Sequence, residues 1–267
     1  VQSVVGEEDG GTGTLATLER GHRADGAIIM EPTGLEIVST QAGALSFRLR
    51  VPGRAAHGSM RRAGINPIEK LGPLLEALRD LEDRRNAAVE HPMLAGYDLP
   101  YPISIGKVRA GNWASSVPEE LVCEGRFGVA IGEDPAVARR QLEESVGTVA
   151  ARDPWLSQHP PTVEWWGGVF ESCETSGEGP LVETLQSSIR SLTGSEPRLR
   201  GVTYGSDMRL LVNEGRIPCV LFGPGDVHRA HQTDEFVPID DLILAVRSLA
   251  LVAMRFCGES SEHTVED

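Results

Sequence analysis

Glu7, Glu8 and Asp9 stand side by side and run straight into Gly10, Gly11 and Gly13. Adjacent acids followed by glycines suit neither a helix interior nor a strand centre, so the segment is a turn. Such a charge cluster is either a solvated surface or working chemistry. In the second case one carboxylate binds a hard or borderline cation, its neighbour handles a proton, and a helix starts near Thr14. Glu31-Pro32-Thr33 ends the apolar run Ala27–Met30. Ligands of open α/β sheets gather at the carboxyl ends of strands, although an acid there also serves as a cap or loop residue. His228 and His231 share one loop, with Asp234 and Glu235 behind them. A single loop histidine is usually just exposed, whereas two, with acids close by, suit zinc. His57 sits in Pro52-Gly53-Arg54-Ala55-Ala56-His57-Gly58-Ser59, where nothing local separates a functional histidine from an exposed one. Ser206 or Asp207 can cap a following helix. Arg209 can hold a substrate carboxylate through a bidentate pair.

These residues need a scaffold, and the hydrophobic pattern supplies one. Ala44–Val51 alternates, with Leu45, Phe47, Leu49 and Val51 on one face, which predicts a half-buried strand. Asn66-Pro67 opens a helix, and Ile68, Leu71, Leu74, Leu75, Leu78 and Leu81 keep helical spacing along it. Strands are expected at Tyr101–Arg109, Leu121–Ala130 and Thr162–Trp166, with a helix from Asp134-Pro135 to about Ala151 between the last two. The order strand, helix, strand, strand, helix, strand is that of the split βαβ, or ferredoxin-like, arrangement. Beyond it, helices are expected at Pro180–Leu192, Asp207–Asn213 and Ile239–Phe256, the last capped by Asp240 or Asp241 and stopped at Gly258. Pro218–Phe222 reads as a buried strand, and Glu259–Asp267 as a fraying polar tail. The economical reading is one α/β domain made of 1–40 and 169–267, interrupted by an inserted α+β domain at 41–168.

The composition is that of a globular protein, 40% hydrophobic and 24% charged over 267 residues. A net charge of −14 makes nucleic acid and anionic membrane poor partners. No apolar run reaches the length of a membrane span. Cys123, Cys173, Cys219 and Cys257 form no CxxC and are expected as reduced thiols. The first residues carry no basic, then long apolar, leader pattern. They lack an initiator Met and read as the middle of a domain, and a cytoplasmic location is expected.

Taken singly the clusters are weak, but their order is informative. Glu-Glu-x-Gly-Gly comes first, then Glu-Pro-Thr, then Gly-Arg-x-x-His-Gly-Ser with Asn-Pro-Ile. Ser-Val-Pro-Glu, Gly-Ser-Asp-Met-Arg and Phe-Gly-Pro-Gly with His-Gln-x-Asp-Glu follow. This string resembles the zinc metallopeptidase family of acetylornithine deacetylase, succinyl-diaminopimelate desuccinylase, aminoacylase and glutamate carboxypeptidase. Gly111–Pro118 and Ala230–Glu235 look nearest to the acetylornithine deacetylase-like branch. The resemblance implies a zinc-exopeptidase-like α/β catalytic domain, incomplete here, with an inserted ferredoxin-like lid and dimerisation domain.

It also implies roles. Glu7 would be the general base acting on a metal-bound water. Glu8 and His231 would bind one zinc, and Glu31 the other, with cobalt or manganese as alternative metals. His57 would be a lid histidine that steadies the oxyanion in a partner subunit's site, in a homodimer built through the lid. Asp207 and Arg209 would line the substrate pocket, Arg209 as carboxylate anchor. Ser115 stands where many relatives have Asn, and His228 falls outside the family position. The substrate would be an N-acyl amino acid or a small peptide. The family places a His-x-Asp motif and a bridging Asp upstream of the Glu-Glu pair, and neither is found in this sequence. One metal would keep Glu8 and His231 and the other only Glu31, too few for a stable zinc site, so this chain alone is expected to be metal-poor and inactive. Other readings are a dipeptidase, carboxypeptidase, desuccinylase, deformylase or carbamoylase of the same family, or a non-catalytic dimerisation module.

Overall fold

The computed structural model describes residues 1–258. The expected fraying of Glu259–Asp267 lies outside them. Helix α1 (Thr12–Glu19) is followed by strands β1 (Ala27–Ile29), β2 (Ile37–Gln41), β3 (Gly43–Pro52) and β4 (Ala56–His57). Next come α2 (Pro67–Ala87), β5 (Ile103–Ala110), β6 (Ser116–Val117), β7 (Glu120–Val129), α3 (Pro135–Arg152) and β8 (Thr162–Phe170). The chain continues with β9 (Cys173–Glu174), α4 (Pro180–Thr193), β10 (Leu199–Val202), β11 (Cys219–Leu221) and α5 (Ile239–Cys257). Two compact units result. The first holds 1–12, 41–172 and 202–206, and the second holds 13–40, 173–201 and 207–258.

The first unit is built on an antiparallel sheet of order β5-β7-β3-β8. Numbered by their place in this sheet's chain order, the strands run second, third, first, fourth, which is the expected split βαβ arrangement. β3 alternates as its sequence predicts. Leu45, Phe47, Leu49 and Val51 are buried against Leu74, Leu78 and Leu81 of α2 and Leu142 and Val146 of α3. Its other face carries Arg48 and Arg50, tied to Glu124, Glu164 and Glu120. Asn66 caps α2 by accepting from the Ile68 amide at 3.0 Å, and Asp134 caps α3 through the Ala136 amide at 2.8 Å. The strand expected from Tyr101 starts instead at Ile103. The end of α2 claims Tyr101, whose amide donates to Asn86 Oδ1 at 2.7 Å and whose ring joins a separate core with Leu94 and Ala42.

The second unit has a mixed sheet of order β1-β11-β2-β10, with β9 on β2. β1 and β11 are parallel, and β11 and β2 antiparallel. Ile37, Val220 and Phe222 of the sheet layer pack under Leu181, Val182, Leu185 and Ile189 of α4 and Val252 of α5. Pro238, not Asp240 or Asp241, is the N-cap of α5. The two aspartates fall in its first turn, where they oppose the positive end of the helix dipole. The short helix expected over Asp207–Asn213 is a π-helix at Leu210–Glu214. The outer side of α5 leaves Ile239, Leu242, Ile243 and Val246 exposed, a second apolar stripe at three- and four-residue spacing. No described helix is long and apolar enough to cross a membrane.

Candidate functional site

In the second unit the parallel pair β1–β11 organises the acid and histidine segments. Ala27, Ile28 and Ile29 lie opposite Cys219, Val220 and Leu221, so both strands end on the same edge. Glu31 follows β1, and the Gly223–Asp226 turn leading to His228 and His231 follows β11. Main-chain bonds zip the two exits together. Phe222 N donates to Ile29 O at 2.9 Å, Gly34 N to Gly225 O at 2.6 Å and Leu35 N to Gly223 O at 3.0 Å. Buried Thr33 accepts from Gly223 N at 3.1 Å, and it forms a bridge with Asp226. A Cβ on Gly223 would stand 2.5 Å from Glu31 O, so only glycine lets the exits come this close. Glu31 is half-buried and His231 exposed. His231 has φ +61°, and its amide donates to Glu235 Oε2 at 3.3 Å. A left-handed non-glycine residue is uncommon, and such strain collects at working sites.

Asp207 and Arg209 are both buried, at 3% and 8% exposure. Asp207 Oδ2 accepts from Thr14 Oγ1 at 2.5 Å, while Oδ1 is buried with no hydrogen-bond partner. Asp207 thus fastens α1 to the turn before the π-helix. The sequence marks Thr14 only as the start of a helix and not as a partner of Asp207, which lies 193 positions away.

In the first unit the segment Gly6–Gly11 is the expected turn. Gly10 N donates to Glu7 O at 3.0 Å and Gly11 N to Gly6 O at 2.8 Å. Gly6, Gly10 and Gly11 take φ of +73°, +104° and +74°. The turn packs with this unit because its main chain lies directly on β8. A Cβ on Gly10 would sit 2.7 Å from the Gly168 Cα, and one on Gly168 would sit 2.4 Å from the Gly10 Cα. Glu7 is half-buried and Glu8 exposed.

His57 and Ser115 also meet in this unit. β4 pairs with β6, setting His57 opposite Ser116, and Gly58 N donates to Ser115 O at 2.6 Å. The Ser59 amide donates to His57 Nδ1 at 3.2 Å, and Ser59 Oγ lies 2.8 Å from the same nitrogen. An amide N–H can only donate. Nδ1 is therefore the acceptor, and in the neutral ring the proton sits on Nε2, which becomes the donor. His57 and Ser115 are both exposed.

Zinc sites take three or four protein donors. Among the described residues no group of three or more His, Cys, Asp or Glu side chains is placed to hold a metal ion.

Residues 39–154 match the family described as the peptidase dimerisation domain. The chain is 28% identical to the N-formyl-4-amino-5-aminomethyl-2-methylpyrimidine deformylase of Halalkalibacterium halodurans, over 96% of its own length and 63% of the relative's. It is also 28% identical to the acetylornithine deacetylase of Myxococcus xanthus, over 94% and 63%. Among solved structures it superposes on an M20 family metallo-carboxypeptidase from Sulfolobus solfataricus with a TM-score of 0.68 at 17% identity, covering 90% of this chain and 65% of that one. These similarities agree with the metallopeptidase family that the motif string resembles. It spans less than two thirds of the length of these relatives. Deformylase and deacetylase match at equal identity, so the comparison does not single out the acetylornithine deacetylase-like branch.

Proposed function

We propose that this chain supplies the general base, metal-directed side chains and the lid histidine of a metal-dependent amidohydrolase that cleaves a C–N amide bond. The observation that supports it most is the common edge of β1 and β11, where Glu31 and the His228–His231 loop leave the sheet together. The catalytic domain is 1–40 with 169–267, and the lid is 41–168. Glu8 and His231 would hold one metal and Glu31 the other, zinc first and cobalt or manganese as alternatives, and the metals would supply an activated water and polarise the carbonyl. Two donors on one metal and one on the other are too few for a stable zinc site, so this chain alone holds metal weakly and turns over slowly.

The chemistry of this chain's own groups follows. Glu7 takes a proton from the attacking water and returns it to the leaving nitrogen. His57 Nε2–H donates to the carbonyl oxygen as negative charge develops there, and Ser59 has already fixed the tautomer that this requires. Arg209 pairs with a substrate carboxylate, Asp207 holds the pocket wall through Thr14, and Ser115 keeps the lid strand beside the substrate. The lid pairs with a second copy through its edge strand and an amphipathic helix, in the cytoplasm.

N-acyl amino acids such as acetylornithine, small peptides and the N-formyl aminomethylpyrimidine form the substrate panel. The test is a zinc titration coupled to hydrolysis of that panel by parent and Glu7→Gln. Hydrolysis lost in Glu7→Gln supports the reading. Hydrolysis that survives it removes Glu7 as base, and two tightly bound zinc ions per chain would overturn the donor count.

A further inference from the structure

The chain has four tryptophans. Trp155 stacks on His159 and donates to Pro52 O, Trp165 packs edge-on against Phe47 and Phe127, and Trp166 lies under Arg48. Trp113 differs from all three. It is 71% exposed, and among the described residues its ring stacks on nothing and its indole N–H has no partner. Such a large apolar ring usually gains by being covered.

Its main chain is nevertheless tightly held. Trp113 O accepts from Ser116 N at 3.2 Å and from Ser116 Oγ at 2.7 Å. The loop is closed at its base, where a Cβ on Gly111 would stand 3.1 Å from Pro118 Cγ. It is also pinned to the strand carrying His57, through the His57–Ser116 pair and the Gly58–Ser115 bond. A free aromatic face on a rigid mount costs little ordering to bind a flat partner.

We propose that Trp113 is a specificity-determining residue that stacks on a flat aromatic or heteroaromatic ring of the amide substrate, so that the preferred substrates are N-acyl derivatives of arylmethyl amines. The inference rests on the proposed amide hydrolysis, with His57 at the reacting carbonyl. The ring sits on the amine side of that carbonyl, within reach of the same tip.

The experiment compares parent, Trp113→Phe and Trp113→Ala on the N-formyl aminomethylpyrimidine and on acetylornithine. Tryptophan quenching by the pyrimidine amide is measured alongside. Trp113→Ala should lower kcat/KM for the aromatic amide by about tenfold, the scale of base–aromatic stacking, and leave the aliphatic amide within about twofold. Trp113→Phe should restore the preference, which a merely structural role would not do. Equal losses on both substrates, or none, overturn the inference while leaving amide hydrolysis standing. If neither amide is hydrolysed, as the short donor set of this chain allows, quenching decides alone. Quenching by the pyrimidine amide that is present in the parent and lost in Trp113→Ala supports the stacking role, and its absence in the parent overturns it.

Discussion

Replacing Arg85 with Ala should cost the first unit about 3 kcal/mol at neutral pH. The Arg85 side chain is 7% exposed and grips Glu133, itself 13% exposed, through two parallel bonds of 2.6 and 2.9 Å. It also donates to Gly128 O at 2.9 Å, and its guanidinium lies 4.6 Å from the Phe127 ring centre. The group thus joins the end of α2 to the turn between β7 and α3. Removing one partner of a buried pair costs about 3–5 kcal/mol, because the other charge is stranded. Glu133 would keep the Ala130 amide at 2.8 Å, which argues for the lower end. Acid should then narrow the gap between parent and variant. Burial pushes the Glu133 carboxyl up, but the Arg85 and Ala130 hydrogen bonds outweigh it and hold the group below its ordinary 4.5. A carboxylate depressed in this way adds stability that is complete above 4.5 and fades as pH falls through the lower folded value. Trp113, Trp155, Trp165 and Trp166 all lie in the first unit, so urea unfolding followed by fluorescence reports on that unit selectively. A difference below about 1 kcal/mol at pH 7, far under the cost of a stranded buried charge, would refute the reasoning. So would a gap that stays constant from neutral pH to well below 4.5.

Thr14→Val should destabilise the second unit by about 1–3 kcal/mol, since it leaves the buried Asp207 carboxylate without its hydroxyl donor; an unchanged circular-dichroism midpoint would contradict the bond. A thiol reagent should label Cys257 quickly in the native protein and the other three cysteines only after unfolding, because those three are buried. Burial pushes Cys123 up to about 11 and raises Cys219 as well; a second fast thiol would count against this. Leu242→Glu with Val246→Lys should leave the melting midpoint unchanged, since both side chains are more than half exposed; a lower midpoint would mean that the stripe is packed.

Where burial follows local pattern, the sequence was informative. The alternation over β3, the caps at Asn66 and Asp134, and the leucine spacing of α2 all lead to the observed elements. β2 and β10 were not foreseen, because serine, threonine, glutamine and arginine fill short strands whose identity comes only from their neighbours. The motif string named Glu31, His57 and His231, since their residue types carry chemistry at recognisable spacing. It could not give the tautomer of His57, which one amide two residues on decides. Nor could it give the Thr14–Asp207 bond, which exists only once distant segments are folded together.

The seat of the acidic turn on β8 has a consequence for how the protein can change over generations. At Gly10 and Gly168 the obstacle to any side chain is the opposing main chain, which has no flexible end to swing aside. A change at either position cannot be relieved by a change at the other, so the two sites are frozen jointly. Drift in this corner is then confined to the side chains that the turn carries. A lineage could exchange the acids at 7, 8 and 9 and so retune or silence the chemistry, yet the spot from which they project would stay where it is.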